Sequence, residues 1–341
     1  MNQPRWQSAE FRKPMLDRVL ALRAEVFSQD EYGTPRWEWE YEANPQGPSF
    51  IRLAVDRETP EKLAGHYAVI SYRLKTRDAV VAACQSLDTF TNPSFRNQGI
   101  FVELAEETFR ASSASGVKFV FGFPNGNSLP GFVRKLGFVA PFGLFFHVRP
   151  LRLGYFTRRL RGLRRWDWLR GLRLPSAAPD AGFHRIPHPP ADWSELARAL
   201  EAQASFQVHR DLAYLRWRYL ACPDRRYELF ELRRNGRLHG FAALRIEGKT
   251  GYLVDLAARS RDDWEALVRA SCRWLREAGA ESAVTLVQPG HLLEPILRRC
   301  HFYRRGACTT FILRALGGEP IPDEMKDPGQ WFLMPGDTDY F

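Results

Sequence analysis

The sequence has no long apolar run. Its longest nearly apolar stretch, Phe138 to Phe146, falls far short of the roughly 20 residues that a membrane-crossing helix needs. Cysteine is scarce too: five in 341 residues, at 84, 222, 272, 300 and 308. Their odd number and lack of close-paired spacing argue against a closed disulfide framework and against a paired-cysteine metal site, so no metal is expected. Met1 to Pro14 is mixed and polar, with no charged head leading into an apolar stretch. A secretory leader is therefore not predicted, and the expected compartment is the cytoplasm. What the chain does have is an ordinary globular balance, 45% apolar and 26% charged, which excludes disordered and fibrous classes. Its length points to two domains.

The net charge of +10 is local. Arg149 to Leu174 holds nine arginines, one acid (Asp167) and no lysine, so this segment is +8 and the remaining 315 residues together carry +2. Leucines, Phe156, Trp166 and Trp168 are interleaved, but Gly154, Gly162 and Gly171 interrupt the run, and Asp167 falls on the face shared by Phe156, Leu160 and Leu163. Three readings stay open: a solvated connector, a helix lying on an anionic membrane surface, and a nucleic-acid contact. The last has no recognition motif beside it, which argues against nucleic acid as a partner.

That stretch, with the prolines between Pro175 and Pro190, divides the chain. The expected organisation is a first domain over 1–150, an Arg-rich connector over 151–180 and a second domain over 181–341. In the first, Leu16 to Val26 has helical apolar spacing, and Phe50–Val55 and Leu63–Leu74 alternate as a hairpin. Ala79–Phe90 reads as a third strand, Phe101–Ala114 as a helix and Val117–Phe123 as a strand. Leu129–Leu136 reads as a short helix ending at Gly137, and Phe138–Val148 as a last strand or pair. The second half repeats this outline. It opens with a helix from Trp193, then a hairpin around Asn235-Gly236, a strong turn signal. A strand at Tyr252–Leu256 follows, then a helix over Trp264–Ala278, a strand at Ser282–Val287, a helix over His291–Cys300 and a strand over Phe302–Leu313. The fold class is mixed α/β, with a structural duplication expected.

Chemistry concentrates in Ser86 to Phe101. A strand ends, the chain turns through Asn92-Pro93, and Gly99 stands where a helix begins. Helix starts present unpaired N–H groups and the positive end of the dipole, and a glycine there admits an anionic group to the backbone. Pro93-x-x-Arg96-x-x-Gly99 at a strand end, followed by Phe123-Pro124-Asn125-Gly126-Asn127-Ser128 and Phe132-Val133-Arg134-Lys135-Leu136-Gly137-Phe138, resembles the acyl-CoA-binding blocks of the GNAT N-acetyltransferase superfamily. The resemblance covers roughly Leu16 to Val148. Trp37, Trp39, Tyr41, Asn44 and Pro45 make it similar in particular to bacterial two-domain GNAT proteins that often accompany polysaccharide biosynthesis.

That resemblance implies two GNAT-like domains, each a twisted, mostly antiparallel sheet flanked by helices. It implies acetyl-CoA or another acyl-CoA as co-substrate and a small amine as acceptor, such as an amino sugar or its lipid- or nucleotide-linked precursor. The backbone of Asn97, Gln98, Gly99, Ile100 and Phe101 would hold the CoA pyrophosphate, with Arg96 positioning the loop. Leu87, Thr89 and Thr91 would line the pantetheine arm, and Asn125 and Ser128 would lie beside it. The amine attacks the thioester directly, so a base is needed but no nucleophilic side chain. Three positions depart from the pattern: Phe101 replaces a small loop residue, either crowding the pyrophosphate or packing inward; Phe132 or Val133 replaces the usual acid tyrosine; and Ala83 stands at an acidic position. The base candidates are Asp88 and His66, with His147 and Cys84 behind them. The second half lacks the loop, Asp255 to Ser260 standing in its place without glycine. Its Tyr214, Trp217 and Arg218 are candidates for an acceptor pocket or for packing. The rival reading is a non-catalytic acyl-CoA-binding or assembly protein.

Overall fold

The computed structural model describes residues 4–27, 32–157, 172, 180–318 and 320–340. Most of the basic stretch lies outside the described residues, and so do the readings that rest on it, including the 151–180 connector. The chain runs β1 (Trp6–Glu10), α1 (Leu16–Val26), α2 (Thr34–Trp37, continued by a wider helical turn over Glu38–Glu42), β2 (Phe50–Asp56), β3 (Leu63–Lys75), β4 (Val80–Thr91), α3 (Ile100–Ala114), β5 (Phe119–Gly122) and α4 (Leu129–Leu136). It continues β6 (Val139–Pro150), α5 (Gly154–Thr157), β7 (Phe183–Ile186), α6 (Trp193–Glu201), β8 (Phe206–Val208), α7 (Leu212–Tyr219), β9 (Glu228–Arg234) and β10 (Arg237–Glu247). Last come β11 (Thr250–Ala258), α8 (Arg261–Glu277), β12 (Ser282–Val287), α9 (Glu294–Arg299), β13 (Tyr303–Ala315) and β14 (Trp331–Phe332).

Two compact units result. The first comprises Met1–Pro141, Cys222–Asp224 and Thr310–Asp323; the second comprises Phe142–Ala221, Arg225–Thr309 and Glu324–Phe341.

In the first unit β1, β2, β3 and β4 pair antiparallel in that order, and β5 pairs parallel to β4. A parallel pair needs a long crossover, and α3 supplies it. Residues 312–315 of β13 pair antiparallel with 122–119 and close this side of the sheet. The buried face of α3 carries Ile100, Leu104, Ala105, Thr108, Phe109 and Ser112, spaced for one helical stripe. It packs into a core with Trp6, Tyr67, Val69, Val120, Phe132, Leu136 and Phe138. Each fully buried aromatic or aliphatic side chain there contributes about 1.5–3 kcal/mol. Gly65 is required where α3 meets β3, because a Cβ would lie 2.6 Å from Ile100 Cγ2.

The second unit repeats the logic: β11 and β12 are parallel, with α8 as their crossover. The strand order is β13, β6, β12, β11, β10, β9, β7, and β8 pairs with β14 apart from it. Asn235 (φ +51) and Gly236 (φ +79) make the tight β9–β10 turn that their sequence predicts. Among the described residues no helix is long and apolar enough to cross a membrane.

Candidate functional site

The β3–β4 ladder slips by one residue. His66 pairs with Phe90 but Ala68 pairs with Leu87, so Asp88 and Thr89 together face the one residue Tyr67. This is a β-bulge, and Asp88 adopts φ +48 within it. Aspartate tolerates the left-handed region better than most residues because its short side chain bonds locally. Three groups hold the bulge. Arg23 from α1 pairs with Asp88 Oδ1 at 2.6 Å. The Tyr41 hydroxyl donates to Oδ2 at 2.8 Å. His66 Nδ1 lies 2.7 Å from the Asp88 carbonyl oxygen and must donate to it.

That last bond fixes the imidazole tautomer. Nδ1 carries the hydrogen, so Nε2 keeps a lone pair, and Nε2 is buried with no partner. The ring stacks on Phe90 at 4.7 Å. Burial lowers the His66 pKa from 6.5 to about 4, so the side chain is neutral across the physiological range. Of the two base candidates, Asp88 therefore has its carboxylate occupied by Arg23 and Tyr41, while His66 presents an unused acceptor.

Helix α2 and its continuation add a group the sequence reading passed over. Glu40 is buried, accepts from Tyr32 Oη at 2.7 Å and pairs with Arg36 Nη2 at 3.2 Å. Arg36 reaches on to Asp224 at 2.8 Å. Burial, reinforced by the charge of Asp88, raises the Glu40 pKa. Trp37 and Tyr41, read earlier only as part of a family pattern, lie on this helical segment with ring centroids 4.2 Å apart.

Beyond the bulge the sheet opens. β4 pairs with β5 only over Ala83–Ser86, so Leu87 to Thr91 has no β5 partner on that side. Thr89 Oγ1 on this stretch is buried without a partner, and so is Gln85 Nε2 in the paired part of β4. The chain then turns at Asn92, whose Oδ1 accepts from Ser94 N and whose Nδ2 donates to Glu25. Asn97 (φ +62) and Gly99 (φ +79) are left-handed. Gly99 is the N-cap of α3, and a Cβ built on it would meet nothing within 4 Å. The helix start thus faces open space with its first amides outward. Trp6 Nε1 steadies the loop by donating to the Gln98 carbonyl at 3.3 Å. Arg96 is exposed beside it.

Other candidates also find their places. Ile100 is buried in the core. The alternative for Phe101 resolves inward: its ring lies 5.2 Å from Phe132 and 6.1 Å from Tyr67, and it touches Gly131. Phe132 is itself core and Val133 is exposed, and neither has a hydroxyl to give. Asn125 Oδ1 accepts from Ser128 N, and both residues form the entry to α4. Burial pushes the Cys84 thiol up to about 12, so it is not nucleophilic. His147 pairs through Nδ1 with the Phe145 carbonyl.

In the second unit Tyr214, Trp217 and Arg218 are buried. Arg218 donates to the carbonyls of Gly336 and Thr338 at 2.9 and 3.1 Å, binding the C-terminal tail. Arg210 is held between Asp255 and Asp337 at 2.9 and 2.7 Å. Burial raises the Asp337 pKa to about 6 against the pull of Arg210. At the helix start that corresponds to the Gly99 loop, Ser260 Oγ accepts from Asp263 N, so a side chain fills the position. Among the described residues no group of three or more His, Cys, Asp or Glu could hold a metal ion.

Residues 10–140 match the family model described as an acetyltransferase (GNAT) domain. The matched stretch, 131 of the 341 residues, lies wholly within the first unit. No curated protein matches the chain. Among solved structures it is similar to an Enterococcus faecalis V583 protein of unknown function described as a probable N-acyltransferase: 13% identity, TM-score 0.65, covering 91% of this chain and 72% of that one. It is also similar to Saccharomyces cerevisiae N-myristoyltransferase with bound myristoyl-CoA, at 14% identity and TM-score 0.63, covering 92% and 84%. A GCN5-related N-acetyltransferase from Anabaena variabilis ATCC 29413 shows 12% identity and TM-score 0.64, covering 91% and 72%. At such identities the likeness concerns the fold.

Proposed function

We propose that the chain transfers an acyl group, acetyl first among the candidates, from acyl-CoA to the amine of a small acceptor, with amino sugars and their lipid- or nucleotide-linked precursors as the acceptor class. The observation that carries this reading is the unpartnered, neutral Nε2 of His66, on β3 beside the bulged strand β4, whose open edge leads into the Gly99 loop.

The amides of Asn97 to Phe101 and Arg96 would hold the pyrophosphate at the α3 N-terminus. The edge from Leu87 to Thr91 would pair with the pantetheine arm, whose amides suit the unpartnered Thr89 and Gln85 groups. A main-chain N–H of the bulge would donate to the thioester oxygen and stabilise its developing negative charge. The acceptor nitrogen bonds to the thioester carbon, the carbon–sulfur bond breaks, and His66 Nε2 takes the amine proton, directly or through one water. The thiolate takes its proton from solvent, since Phe132 and Val133 have none to give. Should the acceptor be lipid-linked, the +8 segment Arg149–Leu174 would meet the anionic surface that carries it.

The test is thiol release from acetyl-CoA with a panel of amino sugars and simple amines. Turnover that collapses in His66→Gln supports the reading. Tight CoA binding without thiol release for any amine overturns it in favour of a binding or assembly protein.

A further inference from the structure

The first unit holds two buried, unpartnered polar atoms on neighbouring rings: Trp37 Nε1 and His66 Nε2. The residues are 2% and 1% exposed. Their ring centroids lie 5.8 Å apart at 63°. Both rings are fixed from behind, Trp37 by Phe11 at 5.0 Å and Tyr41 at 4.2 Å, His66 by Phe90. An indole N–H can only donate, and with its Nδ1 hydrogen given to the Asp88 carbonyl, His66 Nε2 can only accept. Buried groups of this kind are almost always satisfied in folded proteins.

The complement of one donor and one acceptor is an oxygen that bears a hydrogen. We propose that an O–H oxygen is held between the Trp37 indole N–H and His66 Nε2, belonging either to a relay water or to a hydroxyl beside the acceptor's amine. Trp37 is then a binding residue of the acceptor site. With a water, the amine proton passes to the water oxygen while the water's own proton passes to Nε2, so the water is regenerated. With an acceptor hydroxyl, the same contact selects amines that carry a neighbouring oxygen. This inference rests on the acyltransfer reading for its kinetics but not for its structural content.

Trp37→Phe keeps an aromatic ring and removes the N–H together with part of the indole's volume. Thiol release is measured with acetyl-CoA and either D-glucosamine or cyclohexylamine. Loss of one hydrogen bond predicts a fall of about tenfold in kcat/KM. An equal fall for both amines supports the water; a fall for glucosamine alone supports the acceptor hydroxyl; unchanged kinetics for both overturn the proposal. An independent readout is the Trp37 indole proton–nitrogen cross-peak of the full chain. It is assigned by its absence from Trp37→Phe or, if that variant does not fold, by through-space contacts to the Tyr41 and Phe11 rings. A downfield, slowly exchanging peak supports a bound oxygen, and a peak at the position of a non-bonded indole overturns it. If no amine gives thiol release, the acyltransfer reading falls and this peak alone decides the inference.

Discussion

Replacing Asp88 separates a base from a positioning group. Asparagine keeps the tolerance for φ +48, the acceptor for the Tyr41 hydroxyl and the main-chain carbonyl that His66 uses. It loses the charge facing Arg23, where both side chains are mostly buried (14% and 17% exposed). A hydrogen bond to a charged group is worth about 1.5–3 kcal/mol, so Asp88→Asn should cost about 2 kcal/mol. Alanine removes the acceptor for Arg23 and Tyr41 together, which for a broken buried pair costs about 3–5 kcal/mol. It also places a poorly suited residue at positive φ, for at least about 1 kcal/mol more. Urea unfolding should therefore rank wild type above asparagine above alanine, with gaps of about 2 kcal/mol or more. Activity should rank differently. Asp88→Asn is expected to retain kcat/KM within about tenfold of wild type, whereas His66→Gln should lose about 10²–10⁴-fold, the usual contribution of a general base. If Asp88→Asn lost as much activity as His66→Gln while unfolding like wild type, the assignment of the base would be wrong.

Three further outcomes follow from the geometry. Gly99→Val puts a β-branched residue at φ +79, at about 1–2 kcal/mol; with nothing within 4 Å of the new Cβ the fold should survive, while calorimetry should show CoA binding weakened at least about tenfold if the amides face the pyrophosphate. His66 titrates near 4 folded and near 6.5 unfolded, so the unfolded chain binds more protons between these values. Its contribution is complete above pH 6.5 and is lost as the pH falls toward 4, by about 3 kcal/mol in all; urea midpoints from pH 7.5 to 4 should decline more steeply for wild type than for His66→Gln. Arg210→Met leaves Asp255 and Asp337 facing each other in a buried site, and should lower the unfolding free energy of the second unit by about 3–5 kcal/mol.

Much of the fold is legible in local pattern. Leu16–Val26 is a helix with the bounds its spacing predicts, and the Asn235-Gly236 turn makes the expected hairpin. β1 is not legible: Trp6 is the one large apolar residue in Trp-Gln-Ser-Ala-Glu, and pairing with β2 rather than alternation makes it a strand. The pairing of β13 with β5 is invisible as well, because no local signal says that residues near 313 will lie beside residues near 121. His66 and Asp88 are both found by residue type at a strand end, but their roles depend on a one-residue slip that only the paired ladder reveals. Glu40 was missed because its burial comes from tertiary packing, and its signal in the sequence, an Arg36–Glu40 pair one helical turn apart, is common on exposed helices. Tyr214, Trp217 and Arg218 are an aromatic and cationic group in the sequence; in the structure all three are buried and Arg218 bonds the C-terminal tail. Composition cannot tell a pocket wall from a packed core.

The strand that completes the sheet beside β5 also has a consequence in time. Gly122 leaves the ribosome about 190 residues before its partner Ile312. At roughly 5–20 residues per second, synthesis of the intervening chain takes about 10–40 s. For that interval the nascent first unit has its α3 crossover and its Gly99 loop but an open β-edge at Phe119–Gly122, the kind of surface that invites pairing with a neighbouring chain. The first unit is completed only once residues 310–323 have been made, and expression of residues 10–140 alone would produce the Gly99 loop on a sheet that lacks its closing strand.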